Sequence, residues 1–159
     1  MCVIGEDGVT SYRMLYCCVL RVVLDTSVMA AALRSRTGAS FLLLQAVQFR
    51  RLVLLATPSL FLEYEDVLKR AEQREVSGFT LGDVDELLEE LAGLLEPVQV
   101  HLSWRPQLRD PGDELVLEAA INGQADALVT HNTRDFRDAT PRFGVRLMRP
   151  AELLQELRS

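Results

Sequence analysis

Cysteine, histidine, tryptophan and surplus positive charge are all scarce in this chain, and each scarcity removes a class of chemistry. Of 159 residues only 3 are cysteine, namely Cys2, Cys17 and Cys18. All precede the first predicted strand, and the vicinal pair Cys17 and Cys18 lacks C-x-x-C spacing. Neither a zinc site nor a disulfide framework is therefore expected, and the pattern suits a reduced, cytoplasmic protein. The 2 histidines, His101 and His131, lie too far apart in sequence to form a local ligand pair. Lys and Arg number 17 against 23 Asp and Glu, for a net charge of -6 and a pI of about 5.0. That balance argues against a protein that grips nucleic acid through a general basic face. It leaves room for an acid-rich metal site, which would itself lower the total. Long apolar runs are missing too: Met14 to Leu20 is closed off by Arg13 and Arg21, far short of the roughly 20 residues of a membrane span. Glu6 and Asp7 stand where a signal peptide would be basic, so none is expected. There is no internal repeat, low-complexity tract or domain break.

What remains is an ordinary globular composition, 48% hydrophobic and 25% charged, enough for one well-cored domain. Residues 1–19 read as an extension, and residues 20–159 as a single domain. Its organising stretch is Arg21 to Ser27, R-V-V-L-D-T-S. A short unbroken apolar run reads as a strand buried on both faces, which belongs in a parallel sheet flanked by helices. Asp25 then stands at the strand's carboxyl end, the edge of an open α/β sheet where ligands bind.

From there strands and helices alternate. A helix over Ser27 to Leu33, with Thr26 or Ser27 as its cap, is followed by a second over Ala39 to Arg50. Leu52 to Ala56 is a buried strand, and Ser59 to Ala71 a helix entered through Pro58. After a polar linker, Thr80 and Asp83 open a strongly amphipathic helix as a capping box. Its buried stripe includes Val84, Leu88 and Leu91, and Glu86, Glu89 and Glu90 are its solvated face. Pro97 to Leu102 reads as a strand, Trp104 to Leu108 as a loop, and Asp110 to Gln124 as a helix. Ala127 to Thr130 and Val145 to Met148 are the last strands, and Ala151 to Leu157 the final helix. The pattern predicts an α/β fold, a three-layer α/β/α sandwich with a mostly parallel central sheet.

Three further places carry chemistry. In D-P-G-D at Asp110 to Asp113, Asp110 is explained as a helix cap and Pro111 as the first helical residue. Asp113, by contrast, shares a helix face with Val116, Leu117 and Ala120, whereas Glu114, Glu118 and Asn122 form the polar stripe. A carboxylate turned toward a core needs backbone N–H groups, a counter-charge or a metal. In the helix after Pro58, Glu63 and Glu65 flank the apolar stripe on opposite sides, and periodicity does not choose between them. After the strand A-L-V-T come Thr130, His131, Asn132, Thr133, Arg134 and Asp135, placed at a strand end as Asp25 is. His131 reads as a loop residue with no ligand role.

Taken in order, V-L-D-T-S at Val23 to Ser27, P-S-L-F-L-E-Y-E-D-V-L-K-R at Pro58 to Arg70, D-P-G-D-E-L-V-L-E-A-A at Asp110 to Ala120 and A-D-A-L-V-T-H-N-T-R-D-F at Ala125 to Phe136 resemble the PIN-domain family. They are most similar to its small bacterial members regarded as toxin components of toxin–antitoxin pairs. The resemblance implies a PIN-like, Rossmann-like fold and a metal-dependent ribonuclease, usually paired with a small antitoxin protein and often dimeric. Residue by residue, it matches Asp25, Glu63 and Asp113 to the family's first three acids, as catalytic and metal-holding groups. Glu63 is favoured over Glu65 because of its setting before Tyr64 and V-L-K-R. Thr26, Ser27 and Thr130 become supporting groups. Asn132 stands where many members carry a fourth acid, so Asp135 is expected to substitute for it or to hold its surroundings. Mg²⁺ or Mn²⁺ suits three carboxylates without histidine better than zinc does. Among the cations, Arg134 is best placed for an RNA backbone, with Arg34, Arg36, Arg50 and Arg51 behind it. A non-catalytic PIN-like scaffold is the rival that Asn132 favours. A phosphatase using Asp25 as nucleophile is disfavoured, because Ser27 stands where a haloacid-dehalogenase-like enzyme would carry a second Asp.

Overall fold

Val22, Val23 and Leu24 point alternately to opposite faces of their strand, and all are fully buried, so both faces of the sheet are covered there. The computed structural model describes residues 19–159; the cysteines and most of the apolar run Met14 to Leu20 fall outside them. The elements are β1 Leu20–Leu24, α1 Thr26–Arg34, α2 Ala39–Gln48, β2 Leu52–Ala56, α3 Pro58–Lys69, α4 Ala71–Ser77, α5 Leu81–Leu94, β3 Glu96–Pro97, α6 Pro111–Asn122, β4 Ala127–Val129, α7 Thr133–Phe136, β5 Arg146–Met148 and α8 Pro150–Glu156. A 3₁₀ turn, Thr140–Phe143, precedes β5. All strand pairings are parallel, in the order β3-β2-β1-β4-β5. The chain therefore winds outward from β1 through β2 to β3, returns by α6 to β4, and winds outward again to β5. The strand order reverses between β1 and β4, and a crevice opens at their carboxyl ends. Among the described residues no helix is long and apolar enough to cross a membrane.

Local chemistry sets the helix starts. Thr57 accepts from the Leu60 N–H at 3.1 Å, with Pro58 in the first turn of α3. Thr80 and Asp83 close the capping box of α5. Asp110 accepts from the Gly112 N–H at 2.7 Å at the head of α6. Each such cap contributes about 1 kcal/mol.

Several elements differ from the sequence expectation for identifiable reasons. Thr26 and Ser27 lie inside α1 rather than capping it; Asp25 occupies the cap position, but its carboxylate makes no cap bond. The helix after Gly38 ends at Gln48 because the chain turns left-handed at Arg50, with φ 56°. The expected polar linker contains α4, built from good helix formers and stopped by Gly78 at φ 76°.

The largest difference concerns residues 98–110. The predicted strand Pro97 to Leu102 is only Glu96–Pro97 long. After Val98 donates to the Ala56 carbonyl at 2.9 Å, the chain leaves the sheet and runs as an irregular strap along α6. Its polar partners come from the stripe expected to face solvent. Asn122 accepts from the His101 and Leu102 N–H groups at 2.9 and 3.0 Å and donates to the Leu102 carbonyl at 2.9 Å. Glu118 takes the Ser103 hydroxyl at 3.2 Å and a two-pronged contact from Arg105 at 3.0 and 2.7 Å. Glu114 accepts from the Gln107 and Leu108 N–H groups. Glu114 and Glu118 are consequently buried, at 6% and 8% exposure. Side chains of α6 replace the neighbouring strand that the strap lacks.

Removing one partner of that ladder is expected to strand a buried charge. Arg105→Ala should cost about 1–3 kcal/mol in urea unfolding and accelerate amide exchange at residues 101–108. An unchanged midpoint would mean that Glu118 does not depend on Arg105.

Candidate active site at the carboxyl edge of the sheet

Asp25 is 5% exposed, and its N–H donates to the Val129 carbonyl at 2.9 Å, so its backbone belongs to the β1–β4 junction. Hydroxyls surround its carboxylate. Ser27 Oγ donates to Oδ2 at 2.6 Å, Thr130 Oγ1 to the same oxygen at 2.7 Å, and Thr26 Oγ1 to Oδ1 at 3.3 Å. Two of these hydroxyls are themselves oriented: the Asn132 N–H donates to Thr130 Oγ1 at 2.9 Å, and the His131 N–H to Ser27 Oγ at 3.3 Å. With a backbone donor behind each oxygen, the hydroxyl protons are directed at Asp25. Oδ1 keeps the larger free share of its lone pairs.

Tyr64 anchors α3 to the same place. It is fully buried and donates its hydroxyl to the Leu24 carbonyl, the last of β1. Burial, and then the nearby Asp25 charge, hold its phenol far above the ordinary range, so it serves as a neutral donor. The sequence places Tyr64 only in an apolar stripe; a tyrosine there still requires a hydrogen-bond partner, which was the signal available.

This anchor fixes the residue before it. Glu63 is half-buried and turns toward the head of α6: a Cβ placed at Gly112 would lie 3.6 Å from Glu63 Oε1. Glu65 instead pairs with Lys69 at 2.6 Å, and Lys69 with Asp85 at 2.7 Å.

Asp113 is half-buried, and its carboxyl is pushed up to about 7, first by burial and then by the charges of Asp25, Asp110, Asp135 and Glu114. Among the described residues no hydrogen bond or ion pair to its carboxyl offsets them. Asp113 thus feels Asp25 and Asp135 across the crevice, with Asp110 on its rim. Asn132 donates its side-chain amide to Asp135.

The cations are less gathered. Arg134 is exposed in a cleft shared with Asp110 and Asp135. Arg34 borders the hollow holding Thr26, Ser27 and His131, but is tied to Gln73 at 2.6 and 3.1 Å. Arg36 lines a separate apolar groove with Phe41, Phe79 and Leu87. Arg50 and Arg51 precede β2, at the amino edge of the parallel sheet, and are not beside the crevice. His131 meets Ser40 at 2.9 Å.

The PIN domain profile matches residues 21–134, most of the chain. The chain belongs to the PIN-domain family. No curated protein sequence matches it. Among solved structures, it is similar to VapBC2 from Rickettsia felis bound to a DNA fragment from their promoter. That similarity has a TM-score of 0.54 at 14% identity, and covers 82% of this chain and 98% of the other. It supports a shared PIN fold.

In this PIN domain the donor set favours a hard cation. Carboxylates and hydroxyls supply only oxygen, and the mutual repulsion at Asp113 calls for a counter-charge. Among the described residues no three acid, histidine or cysteine side chains converge closely enough to hold an ion alone. A Mg²⁺-type ion does not require that, since it commonly keeps several waters and uses one or two carboxylates together with substrate phosphate.

The raised Asp113 pKa carries a defined pH signature. Below an unfolded value near 3.8 the carboxyl is protonated in both states and contributes nothing. Between 3.8 and about 7 the unfolded chain gives up the proton first, so stability falls as pH rises, and above about 7 the penalty is complete. Asp113→Asn is therefore expected to melt higher than the parent at pH 8 without metal, with the gap closing toward pH 4. A gap independent of pH would show that Asp113 does not sit among repelling charges.

Proposed function

We infer that this PIN domain is a metal-dependent ribonuclease, the toxin component of a toxin–antitoxin pair. One observation carries this most: at the reversal of strand order, Asp25 is clamped by directed hydroxyls within the electrostatic reach of an uncompensated Asp113. PIN domains are generally nucleases, which supports hydrolysis of a phosphodiester.

The catalytic residues are Asp25, Glu63 and Asp113. Asp25, Glu63 and Asp113 would hold Mg²⁺ or Mn²⁺, directly or through water. A bound ion of this kind lowers the pKa of the attacking water and neutralises charge on the phosphate oxygens. Ser27, Thr130 and Thr26 keep the Asp25 carboxylate from rotating away. Asn132 and Asp135 brace the far wall of the crevice; Asn132 orients Thr130 through its backbone and Asp135 through its side chain. Arg134 holds the substrate backbone, and Arg34, on the α1 flank, approaches it from the opposite side. Arg36 belongs to another face and takes no part.

The solved Rickettsia felis relative was captured as VapBC2 on DNA, which supports a protein partner for this chain as well. Such a nuclease acts in the cytoplasm, where an antitoxin would restrain it, and pairs of copies are a common arrangement. A second reading, a PIN-like scaffold without catalysis, rests on Asn132 in place of a fourth acid.

Titration with Mn²⁺ is expected to raise the melting temperature of the intact chain and to switch on cleavage of single-stranded RNA. Asp25→Asn should abolish both effects. No metal-dependent stabilisation, together with no cleavage, would leave the scaffold. Thr130→Val, which removes one hydroxyl from Asp25, is expected to lower metal affinity or cleavage by roughly 10- to 100-fold.

A further inference from the structure

The strap along α6 ends at Arg109, beside the crevice, and faces the 3₁₀ turn Thr140–Phe143 across a cleft of about 420 Å³. That lies within the roughly 300–1,000 Å³ of ordinary ligand clefts. Arg109, Arg134 and Arg142 all line it. Among the described residues none of the three forms an ion pair; Arg142 touches only Gln107, at 3.3 Å. The cleft also holds three acids, Asp110, which caps α6, Asp135, which is bonded to Asn132, and Asp138; among the described residues none of them pairs with the three arginines. Three guanidinium groups are thus available beside the acids of the site.

Trp104 lies outside the lining itself but is tied to it through Gln107 and through Phe143, the neighbour of Arg142. Gln107 donates to its carbonyl at 2.6 Å, and its ring meets that of Phe143 with centroids 6.0 Å apart and planes tilted by 53°. Phe143 directly follows Arg142. Even with this contact Trp104 is 49% exposed, and Val100 and Leu102 of the same strap are 44% and 55% exposed. An open indole beside unpaired arginines has the composition of a platform for single-stranded nucleic acid: aromatic faces stack on bases, and arginines follow the backbone. Glu114 and Glu118, buried beneath the strap, keep that platform in place.

We propose that the cleft between the strap and the 3₁₀ turn is a subsite for single-stranded RNA flanking the cleaved bond, with Trp104 stacking on a base and Arg109, Arg134 and Arg142 holding backbone phosphates. This rests on the ribonuclease reading, and names where that substrate lies. It also places three guanidinium groups in one cleft, interleaved with Asp110, Asp135 and Asp138, so that phosphates are held by directed contacts and not by a surplus of positive charge.

Trp104 is the chain's only tryptophan, so all indole fluorescence reports from this subsite. The full chain, kept from cleaving by a chelator, is titrated with a short single-stranded RNA of mixed sequence. Saturable quenching is expected, weakening with salt. Arg142→Ala should reduce the logarithmic salt slope by about 0.7, the share of one phosphate contact on a single strand. Trp104→Ala should weaken binding, measured with labelled RNA, by about 5- to 100-fold, whereas Trp104→Phe retains most of it; circular dichroism checks that both are folded. With metal restored, Trp104→Ala should raise KM for RNA more than it lowers kcat. Emission unmoved by RNA overturns the subsite, and persistent cleavage in that case leaves the ribonuclease reading standing. Quenching without cleavage in Mg²⁺ or Mn²⁺ overturns the nuclease and keeps the RNA cleft. A blue shift with protein concentration in the absence of RNA assigns this face to a second copy and overturns the proposal.

Discussion

The Asp25 carboxylate sits where the winding of the sheet reverses, and the neighbouring elements are fastened to one another around it. Its own N–H completes the pairing of β1 with β4, its carboxylate takes hydroxyls from α1 and from the residue after β4, and Tyr64 ties α3 to the preceding carbonyl. A charged group is tolerated at 5% exposure only because those donors replace the water it has lost. The same donors make the site stiff. Segments distant in sequence meet at one carboxylate, so its geometry is set by the fold and not by a mobile loop.

Around that stiff centre Asp113 is placed differently, and the contrast has a physical basis. Asp113 has burial and repulsion without compensation, whereas Asp25 has compensation in full. On the proposed metal-dependent reading, an ion in the crevice would gain most at Asp113 and be positioned by Asp25. This division of labour follows from where the donors lie, since α6 presents its capped end to the crevice and its backbone N–H groups there are already partly taken by Asp110.

Much of this was legible beforehand. The unbroken apolar run before Asp25 announced a doubly covered strand, and the helix period of D-P-G-D-E-L-V-L turned Asp113 inward, because both signals depend only on local periodicity. The choice between Glu63 and Glu65 was not legible from periodicity, since it depends on Tyr64 finding the Leu24 carbonyl and on Lys69 finding Asp85, contacts made across the fold. The strap was misjudged for a related reason. Glu114, Glu118 and Asn122 have the spacing of a solvated stripe, and nothing local distinguishes solvent from another stretch of backbone as their hydrogen-bonding partner. Arg50 and Arg51 illustrate a different limit: their charge was visible, but the edge of the sheet they occupy follows only from the direction of β2.

The lengths of the outermost strands bear on how other chains can approach. β3 and β5 contribute only two and three residues, and β3 gives way at once to a strap whose bonding groups are engaged by α6. Short edges of this kind give an incoming strand little to pair with, so sheet extension, the usual route to strand-mediated aggregation, is poorly supported along the described edges. Contacts with other molecules would then fall to side chains on helices and on the strap, selected by shape and charge rather than by backbone pairing.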